Sequence, residues 1–199
     1  MVAAVVPIPL KRTVPTRRPR TREHLLPAEV DKLIQAARKR RYGARDEALI
    51  MLMYGHGLRV SEACGLKWNQ LDLDNAIFHV VRKKNGFSGD HRLRGCEQRA
   101  LRKLKREGPH AGEFVFASER GGPLTPRAVQ VLFDRIAKDA GLGDLNLHPH
   151  VLRHSCGYAL SDRGTDLRVI QDYLGHKQIR HTVRYVALSP RRFDGLWDD

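Results

Sequence analysis

Four short stretches of this 199-residue chain carry side chains suited to breaking a phosphodiester. Gly57-Leu58-Arg59-Val60-Ser61-Glu62 falls at a predicted loop-to-helix junction, and His150-Val151-Leu152-Arg153-His154 opens a predicted helix. Leu174-Gly175-His176 closes another helix, and Tyr185 follows nine residues later. Cleaving such a bond takes a nucleophile, positive charge around the non-bridging oxygens, and an acid for the leaving oxygen. Arginine suits the second task, because its planar fork holds phosphate bidentately and keeps its charge. Taken singly, each stretch is ordinary. An arginine beside a helix start is usually a surface residue, Leu-Gly-His is a common helix C-cap, and a lone tyrosine usually packs. The order in which they occur together is what is specific.

A metal site is the competing reading of the histidines. His150 and His154 are four apart on a presumed helix, a spacing that can chelate. Arg153 between them would repel a cation, and the motif holds no Cys, Asp or Glu to complete a site. No metal or other cofactor is therefore expected, and His154 reads as a structural residue or a DNA contact.

The elements that must position these groups are mostly helical. Pro27 opens a helix with Val30, Leu33, Ile34 and Ala37 on one face. The apolar run Ala48–Tyr54 predicts a buried helix ending at Gly55. Between Ile77 and Leu93 the pattern changes to strand formers around Asn85-Gly86, which predicts a β-hairpin. Phe114-Val115-Phe116 suggests one more short strand. Thr125-Pro126 starts a helix with Val129, Leu132, Phe133 and Ile136 inward and Gly141 as its stop. Val151–Leu160 reads as a helix, and Thr165 caps another that carries Leu167, Ile170 and Leu174 and closes at Gly175. The expectation is a mainly helical α+β fold with a small antiparallel sheet.

Charge points to the partner. Lys and Arg number 36 against 22 Asp and Glu, a formal net of +14 and a pI near 10.3. Such an excess favours a polyanion, with double-stranded DNA leading. Residues 1–22 hold six basic residues, Arg17, Arg18 and Arg20 among them, four prolines and no acid, so they read as a flexible basic arm. Without those six charges, 30 basic residues still face 22 acidic ones, a net of +8 for residues 23–199. No apolar run reaches the roughly 20 residues that span a bilayer. Cys64, Cys96 and Cys156 are isolated, so a reducing, cytoplasmic setting without a membrane partner is expected.

In this order, the residues resemble the tyrosine recombinase (phage integrase) family. That family shows an arginine with an acid three residues on, a hairpin lysine, His-x-x-Arg, a histidine or tryptophan after Leu-Gly, and a C-terminal tyrosine. Arg59 with Glu62, a lysine near residue 84, His150 with Arg153, His176 and Tyr185 match it, across about Glu23 to Trp197. The stretches His148–Tyr158, Ile170–His176, Ile179–Tyr185 and Arg192–Trp197 look like single-domain recombinases that invert the type 1 fimbrial promoter.

The resemblance implies the catalytic-domain fold of that family, and a reaction without metal or ATP. Tyr185 would attack a scissile phosphate to give a 3′-phosphotyrosyl link and a free 5′-hydroxyl. Arg59, Arg153 and His176 would cradle the phosphate. His150 would assist proton transfer or hold the phosphate, and Glu62 would orient Arg59 or a neighbour. The lysine directly before Asn-Gly-Phe-Ser is the matching one, which selects Lys84 as the acid with Lys83 as the alternative. Alternation along a strand puts those two on opposite faces. Lys83 and Arg82, with the arm arginines, are expected DNA contacts. The implied assembly is a homotetramer on specific recombination sites, a monomer when free, with accessory DNA-bending proteins as further partners. A type IB topoisomerase and a silent DNA-binding regulator of the same fold are the alternatives. The DNA site and the outcome (inversion, integration, excision or resolution) are not readable from the chain. Most of the family carries a separate DNA clamp of about a hundred residues, for which a 22-residue basic arm has no core to substitute.

Overall fold

The computed structural model describes residues 23–82, 88–107, 112–145 and 147–187. The expected arm with Arg17, Arg18 and Arg20, the expected acid Lys84 with its alternative Lys83, and the stretch Arg192–Trp197 lie outside the described residues.

Helix α1 (Pro27–Arg38) starts at its proline as predicted, and the Glu29 carboxylate accepts from the Leu26 amide at 2.7 Å. Helix α2 (Gly43–Gly55) begins earlier than its apolar run and buries Arg45, Asp46 and Glu47. Those charges tolerate burial because they are paired. Arg45 bonds Asp46 at 2.8 and 2.9 Å and the Ala117 carbonyl at 3.0 Å, and Arg38 bonds Glu47 at 2.6 Å. Leu49, Ile50, Leu52 and Met53 are all nearly inaccessible. Each such side chain contributes about 1.5–3 kcal/mol on burial. Helices α1, α4 (Gly95–Glu107) and α6 (His150–Asp162) pack around α2, which makes it the axis of the core. The sequence reading passed over α4, although Ala100, Leu101 and Leu104 form a buried stripe at helical spacing.

The sheet is antiparallel with order β1 (Leu71–Asp72), β2 (Ile77–Val80), β3 (Gly89–Arg92). Phe78 pairs with His91, and the predicted hairpin is β2–β3. The third strand, β1, is too short for its sequence to announce. Phe114–Phe116 does not join this sheet. Phe114 makes an isolated bridge to Lys67, and Val115 and Phe116 bond the backbone of Leu66 and Leu124.

Short helix α3 (Val60–Cys64) follows α2, and α5 (Pro126–Asp139) opens where expected, with Thr125 Oγ1 accepting from the Ala128 amide at 3.1 Å. Helix α7 (Leu167–Leu174) is capped by Asp166, not Thr165, because the Asp166 carboxylate accepts from the amides of Arg168 and Val169. Helix α8 (Arg180–Ala187) carries the candidate nucleophile. Among the described residues no helix is long and apolar enough to cross a membrane.

Candidate active site

The Arg59–Glu62 spacing has a local cause. Arg59 is the N-cap of α3 and Glu62 its third helical residue, so the carboxylate reaches back to the Arg59 amide at 2.9 Å. The same carboxylate holds Arg59 Nη1 at 2.6 Å and Arg82 Nη1 at 3.0 Å. Burial alone would raise Glu62, but the Arg59 amide and the two guanidiniums outweigh it and keep the carboxyl below its ordinary range. Arg59 keeps a quarter of its side chain exposed (26%), whereas Arg82 exposes none of its own (0%).

Gly57 is the second organiser. It leaves α2 in the left-handed region at φ 57°, a conformation that favours glycine, and a Cβ there would overlap the Leu174 side chain. Its carbonyl accepts from Arg153 Nη1 and from Arg82 Nη1. Arg153 Nη2 donates to the Leu174 carbonyl at 2.6 Å, at the end of α7. Arg153 is thus aimed by main-chain oxygens, with further N–H groups for an anion. Burial, then the charges of Arg59 and Arg82, pulls it down to about 10, so it remains a cation at neutral pH.

Gly175 closes α7 in the left-handed region, φ 63°, and turns the chain so that His176 is buried beside this cluster. His176 Nδ1 bonds Thr182 Oγ1 at 2.8 Å, which fixes the ring against α8. Burial and then Arg153 and Arg59 push His176 down to about 3. His150, half-buried at the start of α6, is lowered to about 4 by burial and then by Arg153. Both rings are neutral hydrogen-bonding groups at physiological pH.

Tyr185 projects from α8 into the same region, yet only 1% of it is exposed. Its ring lies on Gly157 of α6, where a Cβ would come within 2.6–2.8 Å of three ring carbons. Tyr158 meets the ring edge-on with centroids 5.1 Å apart, and His154 Nδ1 lies 3.1 Å from the Tyr185 hydroxyl. Burial raises this hydroxyl to about 12, against the pull of Arg153 and Arg184. His154, lowered to about 4 by burial and then by His150 and Arg184, is neutral and able to accept the phenolic hydrogen bond.

The structure therefore gathers Arg59, Glu62, Arg153, His150, His176 and Tyr185, which stand on α3, α6, α7's end and α8. It corrects one expectation. Arg82, read as a DNA contact, points inward, held by Glu62 and by the carbonyls of Gly57, His56 and Tyr173. Strand alternation contained the signal, since Arg82 shares the parity of buried Phe78 and Val80. The contact of His154 with Tyr185 and the ring-sized gap at Gly157 were not foreseen, because both depend on where α8 docks.

The phage integrase family model matches residues 23–192. Over 185 residues the chain is 44% identical to the type 1 fimbriae regulatory protein FimE of Escherichia coli K12, covering 89% of this chain and 91% of that one. It is 38% identical over 160 residues to tyrosine recombinase XerC of Xylella fastidiosa M23, covering 78% of this chain and 53% of XerC. Among solved structures, XerH site-specific recombinase bound to palindromic difH substrate, a post-cleavage complex, aligns with TM-score 0.73 and 26% identity, covering 85% of this chain and 51% of XerH. The chain thus spans nearly the whole of FimE and about half of XerC and XerH.

Proposed function

The chain belongs to the phage integrase family and is a tyrosine-type site-specific DNA recombinase; on that premise we propose that Tyr185 cleaves DNA by direct attack on a scissile phosphate. The P–O bond to the 5′-oxygen breaks as the P–O bond to Tyr185 forms and the phenolic proton passes to neutral His150, leaving a 3′-phosphotyrosyl link. Arg59 and Arg153, with neutral His176 and His150 donating hydrogen bonds, offset the charge that grows on the non-bridging oxygens. Lys84, with Lys83 as alternative, protonates the departing 5′-oxygen. Reversal of the same steps on a second DNA end rejoins the strand, so neither metal nor ATP enters. The observation that supports this reading is the gathering of Arg59, His176 and Tyr185 about the buried Arg153, from four separate stretches of chain, close enough for each to feel its charge.

In the arrangement seen here the nucleophile is docked. Tyr185 is only 1% exposed, with its ring on Gly157 and its hydroxyl bonded to His154, so reaching a scissile phosphate requires DNA binding to lift the ring from that seat. Double-stranded DNA with specific recombination sites is the proposed partner, engaged by residues 1–22, Lys83 and Lys84, and the exposed arginines beside the fold, such as Arg41, Arg127 and Arg135. Four protomers on two sites, helped by accessory DNA-bending proteins and acting on the cytoplasmic nucleoid, complete the reading.

The test is a covalent one. A duplex site selected by the protein from a random pool is nicked just beyond the scissile phosphate, and adducts are resolved on a denaturing gel. Wild type is expected to give a protein–DNA adduct and Tyr185→Phe none. An equal adduct from the variant overturns the assignment of Tyr185. Relaxation of supercoils without recombinant product favours the topoisomerase alternative, and tight binding without any adduct favours the regulator.

A further inference from the structure

Four side chains that the proposed reaction does not use meet in one buried cluster behind the arginines. His56 Nδ1, at the end of α2, lies 3.2 Å from His91 Nδ1 of β3. The His91 ring stacks on Tyr173 of α7, centroids 4.1 Å apart. The Tyr173 hydroxyl donates to the Gly55 carbonyl at 2.8 Å, and His56 Nε2 approaches Glu97 Oε2 of α4 at 3.4 Å, outside hydrogen-bond geometry. Arg94 covers the outer side of Glu97 with bonds of 2.7 and 3.0 Å. His56 and Glu97 are each 1% exposed. Apolar side chains of the same size would fill this volume without desolvating charge, so the cluster's distinctive property is direction rather than cohesion.

What it directs is the backbone on its other side. His56 and Tyr173, whose side chains meet in the cluster, are also the residues whose carbonyls accept from Arg82. The residues next to them, Gly57 and Leu174, supply the two carbonyls that hold Arg153. The cluster and the arginine cradle are thus two faces of one wall, made by the end of α2 and the end of α7. We propose that His56 and His91, braced by Tyr173 and Glu97, are positioning residues that set the spacing of those two helix ends and so the aim of Arg153 and of the Arg82–Glu62–Arg59 chain on the scissile phosphate. The proposal rests on the recombinase reading given above.

The Nδ1–Nδ1 contact works with one donor and one acceptor, so at least one ring of the pair is neutral. Groups from each neighbouring element face His91: His56, Arg82 and Phe78, its own neighbour Asp90, Glu97 and Tyr173. Burial, then His56 and Arg82, pushes His91 down to about 3, which keeps its ring neutral.

The test compares substrates that differ only at the reacting phosphate. His91→Phe keeps the ring on Tyr173 and removes the nitrogen, whereas His91→Asn restores a polar atom where Nδ1 stood. Single-turnover adduct formation is measured on a selected site with the native phosphate, with a methylphosphonate at the scissile position, and with sulfur as the 5′-bridging atom. A neutral methylphosphonate relieves the need for guanidinium charge, and a thiolate leaving group relieves the need for an acid. We expect His91→Phe to be about ten- to a hundredfold slow on the native phosphate, a loss typical of an outer-shell partner. The ratio to wild type is expected to recover on methylphosphonate but not on the sulfur substrate, with His91→Asn near wild type throughout. A native-phosphate rate equal to wild type overturns the proposal. So does an equal loss on all three substrates, which is what mere loosening of the fold gives, and so does recovery on sulfur alone, which places the effect on the lysine. Should His91→Phe not fold, Tyr173→Phe, which removes the hydroxyl bond to Gly55 and the 3.4 Å contact with His56 Nδ1 but keeps the ring, carries the same comparison. Absence of an adduct from wild type overturns the recombinase reading and this proposal together; an adduct from wild type with any of the three adverse results overturns this proposal alone.

Discussion

The arginine side of the site and the nucleophile side are held in different ways. Arg82 donates to one carboxylate and three carbonyls, Arg153 to two carbonyls, and Glu62 grips an amide and two guanidiniums. Tyr185 has one hydrogen bond, to His154, and a ring resting where α6 has no side chain. Helix α8 is tied through Thr182 to His176 and, at the surface, through Arg184 to Glu23. Positive charge is therefore fixed before any substrate arrives, which is how electrostatic stabilisation avoids reorganisation during reaction. The attacking group is held by ring packing and one hydrogen bond, so moving it separates no buried ion pair.

The sharpest way to break this comparison is Tyr185→Phe. Adduct formation is expected to vanish while stability falls by only about 0.5–1.5 kcal/mol, the worth of one hydrogen bond. A large drop in the urea midpoint would show that the nucleophile side is as tightly built as the other. Glu62→Ala attacks the opposite half. Removing the carboxylate leaves Arg82, with no exposed side-chain surface, uncompensated, and unfolding measurements should show a loss of about 3–5 kcal/mol together with the loss of adduct. Gly157→Ala sits between the two. Its methyl would crowd the Tyr185 ring at a cost of about 1–3 kcal/mol, less about 1 kcal/mol returned by alanine in a helix. Displacing the ring from its buried seat should lower Tyr185 from about 12 toward the ordinary 10, read by ultraviolet titration of the phenol. A midpoint unmoved from 12 would mean that the ring stays seated.

The last prediction concerns pH, which acts on four buried histidines at once. His91 and His176 are lowered to about 3, His150 and His154 to about 4, by burial first and by neighbouring cations or histidines second. Below about pH 6.5 the unfolded chain binds protons that the folded chain refuses, so stability is full above that value and falls as pH drops toward 4. Urea midpoints at pH 7.5 and pH 5 should differ in that sense. His154→Asn and His91→Asn then show which half contributes more of the slope.

The sequence was most legible where function depends on local geometry. Gly175 is a left-handed helix stop that presents His176, and Thr125 caps α5, both readable from local pattern, whereas Arg59 and Glu62, an N-cap and its third helical residue, were legible through the family resemblance. Legibility ended where partners are distant in sequence. His56 meets a histidine 35 residues away, and Gly57 serves an arginine 96 residues away. Nothing in either neighbourhood announces the other. Arg82 stands between these cases, because alternation marked it as inward while its charge argued for the surface, and a buried carboxylate decided the matter.

The shared acceptor at Gly57 bears on how this site tolerates mutation over evolutionary time. Two guanidiniums take their alignment from a main-chain oxygen, an atom that every amino acid carries and that no codon change deletes. That acceptor survives substitution of any neighbouring side chain, so long as the ends of α2 and α7 keep their spacing. Residue 57 itself is closed to substitution, because any Cβ there meets both a left-handed backbone and Leu174.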